Sequence, residues 1–112
     1  MSSLDKKSCI LCINVGSSNI KFALFKINND MITILRSLKT KRDKKIAFND
    51  MQTFVGNDYG NIKIISHRFV QLESKINTPC IVSSYELNTL DNSMDLAPLH
   101  NPLSIYFVKN CL

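Results

Sequence analysis

The stretch that decides the fold runs from Cys9 to Ile27 and reads CILCINVGSSNIKFALFKI. Its first part, Cys9 to Asn14, is a nearly continuous apolar run, as expected of a strand buried on both faces. The next residues are Val15-Gly16-Ser17-Ser18, and their glycine and serines favour a turn. Asn19 to Ile27 is rich in aromatic and branched residues, which favours a second strand. The stretch therefore predicts a strand, a turn and a strand.

The meander continues on the carboxyl side of this stretch. Asn28-Asn29-Asp30 predicts a turn, because Asn and Asp tolerate left-handed backbone angles. Met31 to Leu38 predicts a third strand, with Ile32, Ile34 and Arg36 on one face. The chain is thus expected to open with an antiparallel meander of three strands.

The remaining segments carry weaker patterns. Residues 36–45 hold six basic residues and one acid, and we expect a solvated connector there. Phe48 to Gly60 has weak helical or loop character, and Asn61 to Val70 predicts a fourth strand. Ser83-x-x-Glu86 fits a capping box that starts a helix. Asn101-Pro102 predicts a last helix, with Asn as N-cap and Pro at its first position.

Composition limits the class of protein. The chain has 112 residues and a net charge of +5, with 45% apolar and 21% charged residues. These values are typical of one soluble globular domain and exclude wholesale disorder. No apolar run approaches the roughly 20 residues of a membrane span. The amino terminus lacks a signal-peptide cleavage pattern, so we expect a cytoplasmic protein. Cys9-x-x-Cys12 lies inside a strand pattern, which favours structural thiols over a redox or metal motif.

The best candidate for chemistry is the turn from Asn14 to Lys21. Gly16 allows close approach or a positive backbone angle, and Ser17 and Ser18 offer hydroxyl donors to phosphate oxygens. Lys21 is a point charge for a phosphate, and the amide of Asn14 suits a phosphate or a metal-bound water. From spacing alone, an ordinary hairpin turn is the commoner explanation of such a stretch.

Three other places hold reactive residue types. The planar fork of Arg68, after His67, suits a carboxylate or a phosphate, although a surface ion pair is the commoner role. His100 titrates near neutral pH, although a loop His more often packs or caps. The basic run of residues 36–45 lacks the interleaved aromatics of a nucleic-acid surface. We therefore expect neither nucleic acid nor membrane as a partner.

Taken together, three segments resemble the N-terminal end of acetate kinases. Ile10 to Phe25 looks like the family's opening phosphate motif, His67 to Val70 is similar to its His-Arg-Val-Val segment, and Leu96 to Pro102 matches a family signature. The resemblance implies an α/β fold of the actin-like, ribonuclease-H-like type. In it, the three-stranded meander is followed by a parallel strand and helices.

The resemblance also implies a reaction, the reversible phosphoryl transfer between ATP and acetate that gives acetyl phosphate and ADP. It places Asn14 at the position associated with magnesium and Lys21 at the position associated with ATP. Arg68 takes the position associated with the substrate. The residues that complete the phosphate motif are Gly16, Ser17, Ser18 and Asn19. The implied cofactor is Mg²⁺, with ATP and acetate as substrates. No catalytic residue is assigned.

Departures from the family pattern lower the activity that we expect. Gln71-Leu72-Glu73 stands where the family has His-Gly-Gly, and Asn19 replaces a Ser. Residues 1–112 read as a single incomplete N-terminal domain without the second domain, and we expect no turnover from this chain alone. These features favour a non-catalytic remnant, ahead of a split enzyme that works with a missing C-terminal half or a homodimer partner. A nucleotide-binding module is the third alternative.

Overall fold

The strands form a four-stranded sheet in the order β3-β2-β1-β4. The computed structural model describes residues 8–67, Asn88 and residues 101–111. The chain divides into two compact units, which are residues 1–68 and residues 69–112. The elements of the first unit are β1 (Cys9–Val15), β2 (Asn19–Asn28), β3 (Met31–Lys41), α1 (Lys44–Val55), a 3-10 helix (Gly56–Asn61) and β4 (Ile62–His67). The described helix of the second unit is α2 (Asn101–Cys111).

The pairing of the strands confirms the predicted meander and parallel strand. β1 pairs antiparallel with β2, and β2 pairs antiparallel with β3. The turn between β2 and β3 places Asn29 at φ 47° and Asp30 at φ 70°. Two successive left-handed residues suit a two-residue hairpin, because their twist matches that of the flanking strands. β4 pairs parallel with β1 on its other side.

One face of the hairpin between β1 and β2 forms the core of the first unit. Leu11 pairs with Leu24, Ile13 with Phe22 and Val15 with Ile20, and all six side chains are buried. Complete burial of one such side chain stabilises the folded state by about 1.5–3 kcal/mol. Helix α1 supplies the buried side chains Ala47, Met51 and Val55, and the Phe54 ring lies 6.3 Å from that of Phe22.

Helix α1 begins earlier than the sequence pattern suggested. Asp43 caps it, since its carboxylate accepts hydrogen bonds from the backbone N–H groups of Lys45 and Ile46 at 3.0 Å. Such a cap stabilises a helix by about 1 kcal/mol. Gly56 ends the helix at φ 52°. The expectation of a solvated connector at residues 36–45 is therefore wrong, because β3 extends to Lys41 and α1 starts at Lys44.

The predicted placement of Arg36 on one face with Ile34 is wrong, because β3 contains a β-bulge. Ile34 pairs with Phe25 and Arg36 with Leu24, so the intervening Leu35 has no partner across the strands. An extra residue breaks the period of two, and Arg36 consequently lies on the α1 side of the sheet instead of sharing a face with Ile34.

Arg36 joins β3 to the carboxyl end of α1. Its guanidinium donates to the backbone oxygen of Phe54 at 2.9 and 3.1 Å and to that of Val55 at 3.1 Å. It also donates to the Asp58 carboxylate at 2.8 Å, and this hydrogen bond holds the pKa of Asp58 below its usual value. The group lies 5.4 Å from the centre of the Phe54 ring. The Arg36 guanidinium thus provides hydrogen bonds to backbone carbonyl groups that have no partner within the last turn of α1.

Two further expectations concern the carboxyl half of the chain. The helix predicted at Asn101-Pro102 is confirmed as α2, whose buried residues are Ser104, Ile105, Phe107 and Val108. The capping-box helix predicted at Ser83-x-x-Glu86 lies outside the described residues, apart from the helical Asn88. No helix of the described residues is long and apolar enough to cross a membrane.

Replacing Arg36 by Met should lower the free energy of unfolding by about 1–2 kcal/mol, because charge-assisted bonds to three acceptors are lost at a partly exposed site. Asp58→Asn should cost less than about 1 kcal/mol, since it removes only an exposed ion pair. Urea unfolding of both variants measures the two costs. Equal losses would show that the ion pair, and not the helix end, is the important contact.

Candidate functional site

The turn between β1 and β2 is narrow. The backbone N–H of Gly16 donates to the backbone oxygen of Asn19 at 2.8 Å, which leaves Ser17 and Ser18 at the tip, both exposed. Gly16 does not have a positive φ, so the suggested positive backbone angle is wrong there. Close approach is its constraint, because a Cβ on Gly16 would lie 3.1 Å from the Asn19 oxygen.

Asn14 and Lys21 face one another across the same hairpin. They are direct partners in the register between β1 and β2, and neighbouring side chains at such a position lie about 5 Å apart at Cβ. They lie on the face opposite the buried Ile13 and Phe22, because side chains alternate along a strand. Asn14 is half-buried and Lys21 is exposed. The amide of Asn14 and the ammonium of Lys21 therefore lie on neighbouring strands beside the glycine-serine turn.

The third strand adds residues that sequence reasoning missed. Lys39 is the partner of Lys21, and Lys41 is the partner of Asn19. Both lysines are exposed. An open depression of about 440 Å³ adjoins this end of the meander, and its lining residues are Ser18, Asn19, Lys39, Thr40, Lys41, Ile46 and Asp50. Extension of the β3 pattern beyond Leu38 was the signal that would have located these lysines.

The parallel strand β4 ends beside the same end of β1. His67, its last residue, is the partner of Ile13, which precedes Asn14. In α/β sheets, ligands bind outside the carboxyl ends of parallel strands, so this is a suitable edge for a site. Arg68 follows His67 directly but lies outside the described residues, as do His100 and the segment Gln71-Leu72-Glu73.

His67 is held in its neutral form. Its Nδ1 atom is buried, and no described residue forms a hydrogen bond with it. Burial lowers the pKa of His67 to about 4, because desolvation disfavours the charged imidazolium.

The described residues contain no group of three or more His, Cys, Asp or Glu side chains placed to hold a metal ion. Asn14 offers one amide oxygen, and its partner across the strands is a lysine. Mg²⁺ usually keeps several waters and binds with substrate phosphates. Asn14 therefore provides a single neutral oxygen for such an ion, and the described residues beside it do not complete the coordination of a resident ion.

The two cysteine thiols of β1 are free, and their burial bears on their reactivity. Cys9 and Cys12 are free cysteines, and Cys9 is buried in the core. Burial raises the pKa of the Cys12 thiol. A thiol that resists ionisation is a poor nucleophile and a poor metal ligand, which favours a structural role for Cys12.

Solved structures identify the fold. An acetate kinase from Entamoeba histolytica matches with a TM-score of 0.68 and 24% identity, covering 91% of this chain and 30% of that one. A propionate kinase from Francisella tularensis matches with a TM-score of 0.69 and 23% identity, covering 93% of this chain and 33% of that one. The meander, parallel strand and helices thus form part of an actin-like ATPase fold.

Sequence comparison gives the narrower relationship. Acetate kinase from Clostridioides difficile is 26% identical over 91% of this chain, and that from Buchnera aphidicola is 28% identical over 95%. The chain spans about one third of the length of these curated relatives, 33% in both cases. No protein-family model matches. The resemblance to acetate kinases is confirmed by these matches.

Gly16→Ala should lower the free energy of unfolding by about 1 kcal/mol relative to Gly60→Ala, a cost typical of strain at a tight turn. The matched control is suitable because a Cβ on Gly60 meets nothing within 4 Å, whereas one on Gly16 presses on the Asn19 oxygen. Urea unfolding of the two variants compares them. Indistinguishable midpoints would refute close approach as the reason for glycine at position 16.

His67 should make the protein less stable as the pH falls. Its pKa in the folded chain is about 4, below the roughly 6.5 of an unfolded chain, so the unfolded state takes up the proton first. Its contribution to the free energy of unfolding should be constant above about pH 6.5 and should decline between about pH 6.5 and 4. Urea midpoints across this range, compared with those of His67→Gln, measure the effect. Parallel pH profiles would contradict it.

Proposed function

We propose that this chain is the phosphate-binding part of an acetate kinase, an enzyme that transfers a phosphoryl group reversibly between ATP and acetate. The observation that carries the proposal is the pairing of Asn14 with Lys21 beside the turn at Gly16. The match to curated acetate kinases over 91% of the chain supports the choice of substrates.

The turn is suited to phosphate oxygens. The hydroxyl groups of Ser17 and Ser18 are exposed at its tip and are available to donate hydrogen bonds to a phosphate. Lys21 neutralises negative charge as a mobile point charge, and Asn19 completes the phosphate-binding set. Phosphoryl transfer depends mainly on positioning and charge neutralisation, so these groups suit the reaction.

Two assignments extend the proposal beyond the turn. If magnesium entered with ATP, the Asn14 amide oxygen would hold the ion or one of its waters, and the ion would supply neutralisation of phosphate charge. Arg68 is assigned to the carboxylate of acetate or to its phosphoryl group, because a guanidinium bonds two oxygens at once. The proximity of Arg68 to the β4 terminus in sequence, one residue beyond His67, supports this role.

The proposal assigns residues 1–112 to one incomplete N-terminal domain of a cytoplasmic enzyme. Because the relatives are about three times as long as the matched region, full turnover is assigned to this chain together with the regions that correspond to the rest of them. Those regions belong either to more of the same polypeptide or to a partner chain, including a second copy in a homodimer.

A second candidate function is nucleotide binding without turnover. The polar segment Gln71-Leu72-Glu73 favours it, because Glu73 adds a negative charge shortly after Arg68, where an anionic substrate is proposed to bind. Binding and turnover therefore need separate measurements.

Addition of ATP with Mg²⁺ should shift the backbone amide resonances of Gly16 to Lys21. Lys21→Gln should weaken ATP binding by about fivefold, as expected from the loss of one exposed charge contact. Lys63→Gln is the matched control, since Lys63 is an exposed lysine on β4. NMR titration of the three proteins measures the affinities, and unmoved turn resonances at millimolar ATP would refute the proposed phosphate site.

Trapping of acetyl phosphate with hydroxylamine separates the two functions. ATP binding together with hydroxamate formation, in the presence of acetate and the remaining kinase regions, supports the enzyme. ATP binding without any product under the same conditions supports the nucleotide-binding module.

A further inference from the structure

The meander carries a row of three lysines on the face that holds the candidate site. Lys21 lies between Asn14 on β1 and Lys39 on β3, and Lys41 is the partner of Asn19. Strand spacing places Lys21 and Lys39 about 5 Å apart at Cα, with Lys41 about 7 Å further along β3. The three lysines therefore form one patch next to the turn.

No described acidic side chain forms an ion pair with the three lysines of this row. Among residues 8–67 and 101–111, no ion pair or hydrogen bond uses the side chain of Lys21, Lys39 or Lys41. Like charges directly opposite one another destabilise a sheet. Lys21 and Lys39 are such a pair, because they are direct partners in the register between β2 and β3.

The acid that lines the adjoining depression already has a hydrogen-bond partner. Asp50 lines the depression together with Lys39 and Lys41, but its Oδ2 accepts a hydrogen bond from the Thr40 hydroxyl. That bond orients the carboxylate toward β3. An anion that enters from solvent is the partner that the lysines lack.

The number and spacing of the cations indicate the class of anion. One phosphate group is already provided for by the turn and Lys21, as proposed above. Two further lysines on the neighbouring strand are suited to further phosphate groups of the same ligand, and flexible lysine stems accommodate a chain of them. A monophosphate would leave Lys39 and Lys41 without a partner.

We propose that Lys39 and Lys41 bind the terminal phosphates of a polyphosphate chain, so that the site selects nucleoside triphosphates over monophosphates. This inference rests on the proposed phosphate site at the turn and extends it to β3. The polyphosphate chain is the recognised chemistry, and inorganic tripolyphosphate shares it with ATP.

The test compares the full chain with two double variants of equal charge. Lys39→Gln/Lys41→Gln removes the β3 pair, whereas Lys45→Gln/Lys63→Gln removes two exposed lysines from α1 and β4. NMR titrations use ATP, tripolyphosphate and AMP at constant ionic strength. The β3 variant should bind ATP and tripolyphosphate about five- to twentyfold more weakly, the effect of two exposed charge contacts, and should bind AMP within about twofold of the parent.

A third variant and an oligonucleotide complete the design. Lys39→Arg/Lys41→Arg should restore most of the ATP affinity, and urea unfolding confirms that each variant is folded. If the parent binds ATP and both Gln double variants lose affinity equally, the inference is overturned while the proposed function stands. If the parent binds no ATP at millimolar concentration, the proposed function itself fails. Binding of a thymidine oligonucleotide more tightly than ATP would also overturn the inference, because the row would then serve nucleic acid.

Discussion

The register between β1 and β2 is the constraint on which the rest of the structure depends. It pairs Ile13 with Phe22 on the buried face and Asn14 with Lys21 on the other face. Because side chains alternate along a strand, a slip of one residue would exchange the two faces and bury Lys21. Burial of an unpaired ammonium costs several kcal/mol. The apolar core therefore fixes the geometry of the candidate phosphate site.

Helix α1 depends on the same sheet through β3. Its Met51 and Val55 are buried, whereas its carboxyl end is held by the guanidinium of Arg36, which donates to the Phe54 and Val55 carbonyl oxygens. A short helix is marginal in isolation, so packing and this bond provide much of its stability. The bulge at Leu35 is what brings Arg36 to that side of the sheet.

The sequence predicted the meander, the parallel strand and the last helix because each has a strong local signal. The alternation from Ile20 to Leu24 and the Asn101-Pro102 start are of this kind. The start of α1 was missed, since Lys44 and Lys45 read as a charged linker and the cap at Asp43 becomes visible only in the geometry. The bulge was missed for a different reason, because an extra residue such as Leu35 leaves no mark on composition.

The candidate site was predicted in part for the same physical reasons. Asn14, Gly16 and Lys21 are close in sequence, so a local motif brings them together. Lys39 and Lys41 join them only through long-range strand pairing, which a local pattern does not specify. Arg68, assigned from the family resemblance, lies outside the described residues and stays a prediction.

Lysines on an edge strand have another possible role, which is to prevent pairing with the edge of another sheet. β3 lies at the edge of the described sheet, so this explanation must be weighed for Lys39 and Lys41. The vulnerable part of the strand is its first half, where Met31, Ile32 and Ile34 are 66%, 61% and 57% exposed. That half contains no charged residue, whereas both lysines lie at the opposite end, beside the turn. Edge protection would place charges among the exposed apolar residues, so the position of the two lysines favours a ligand.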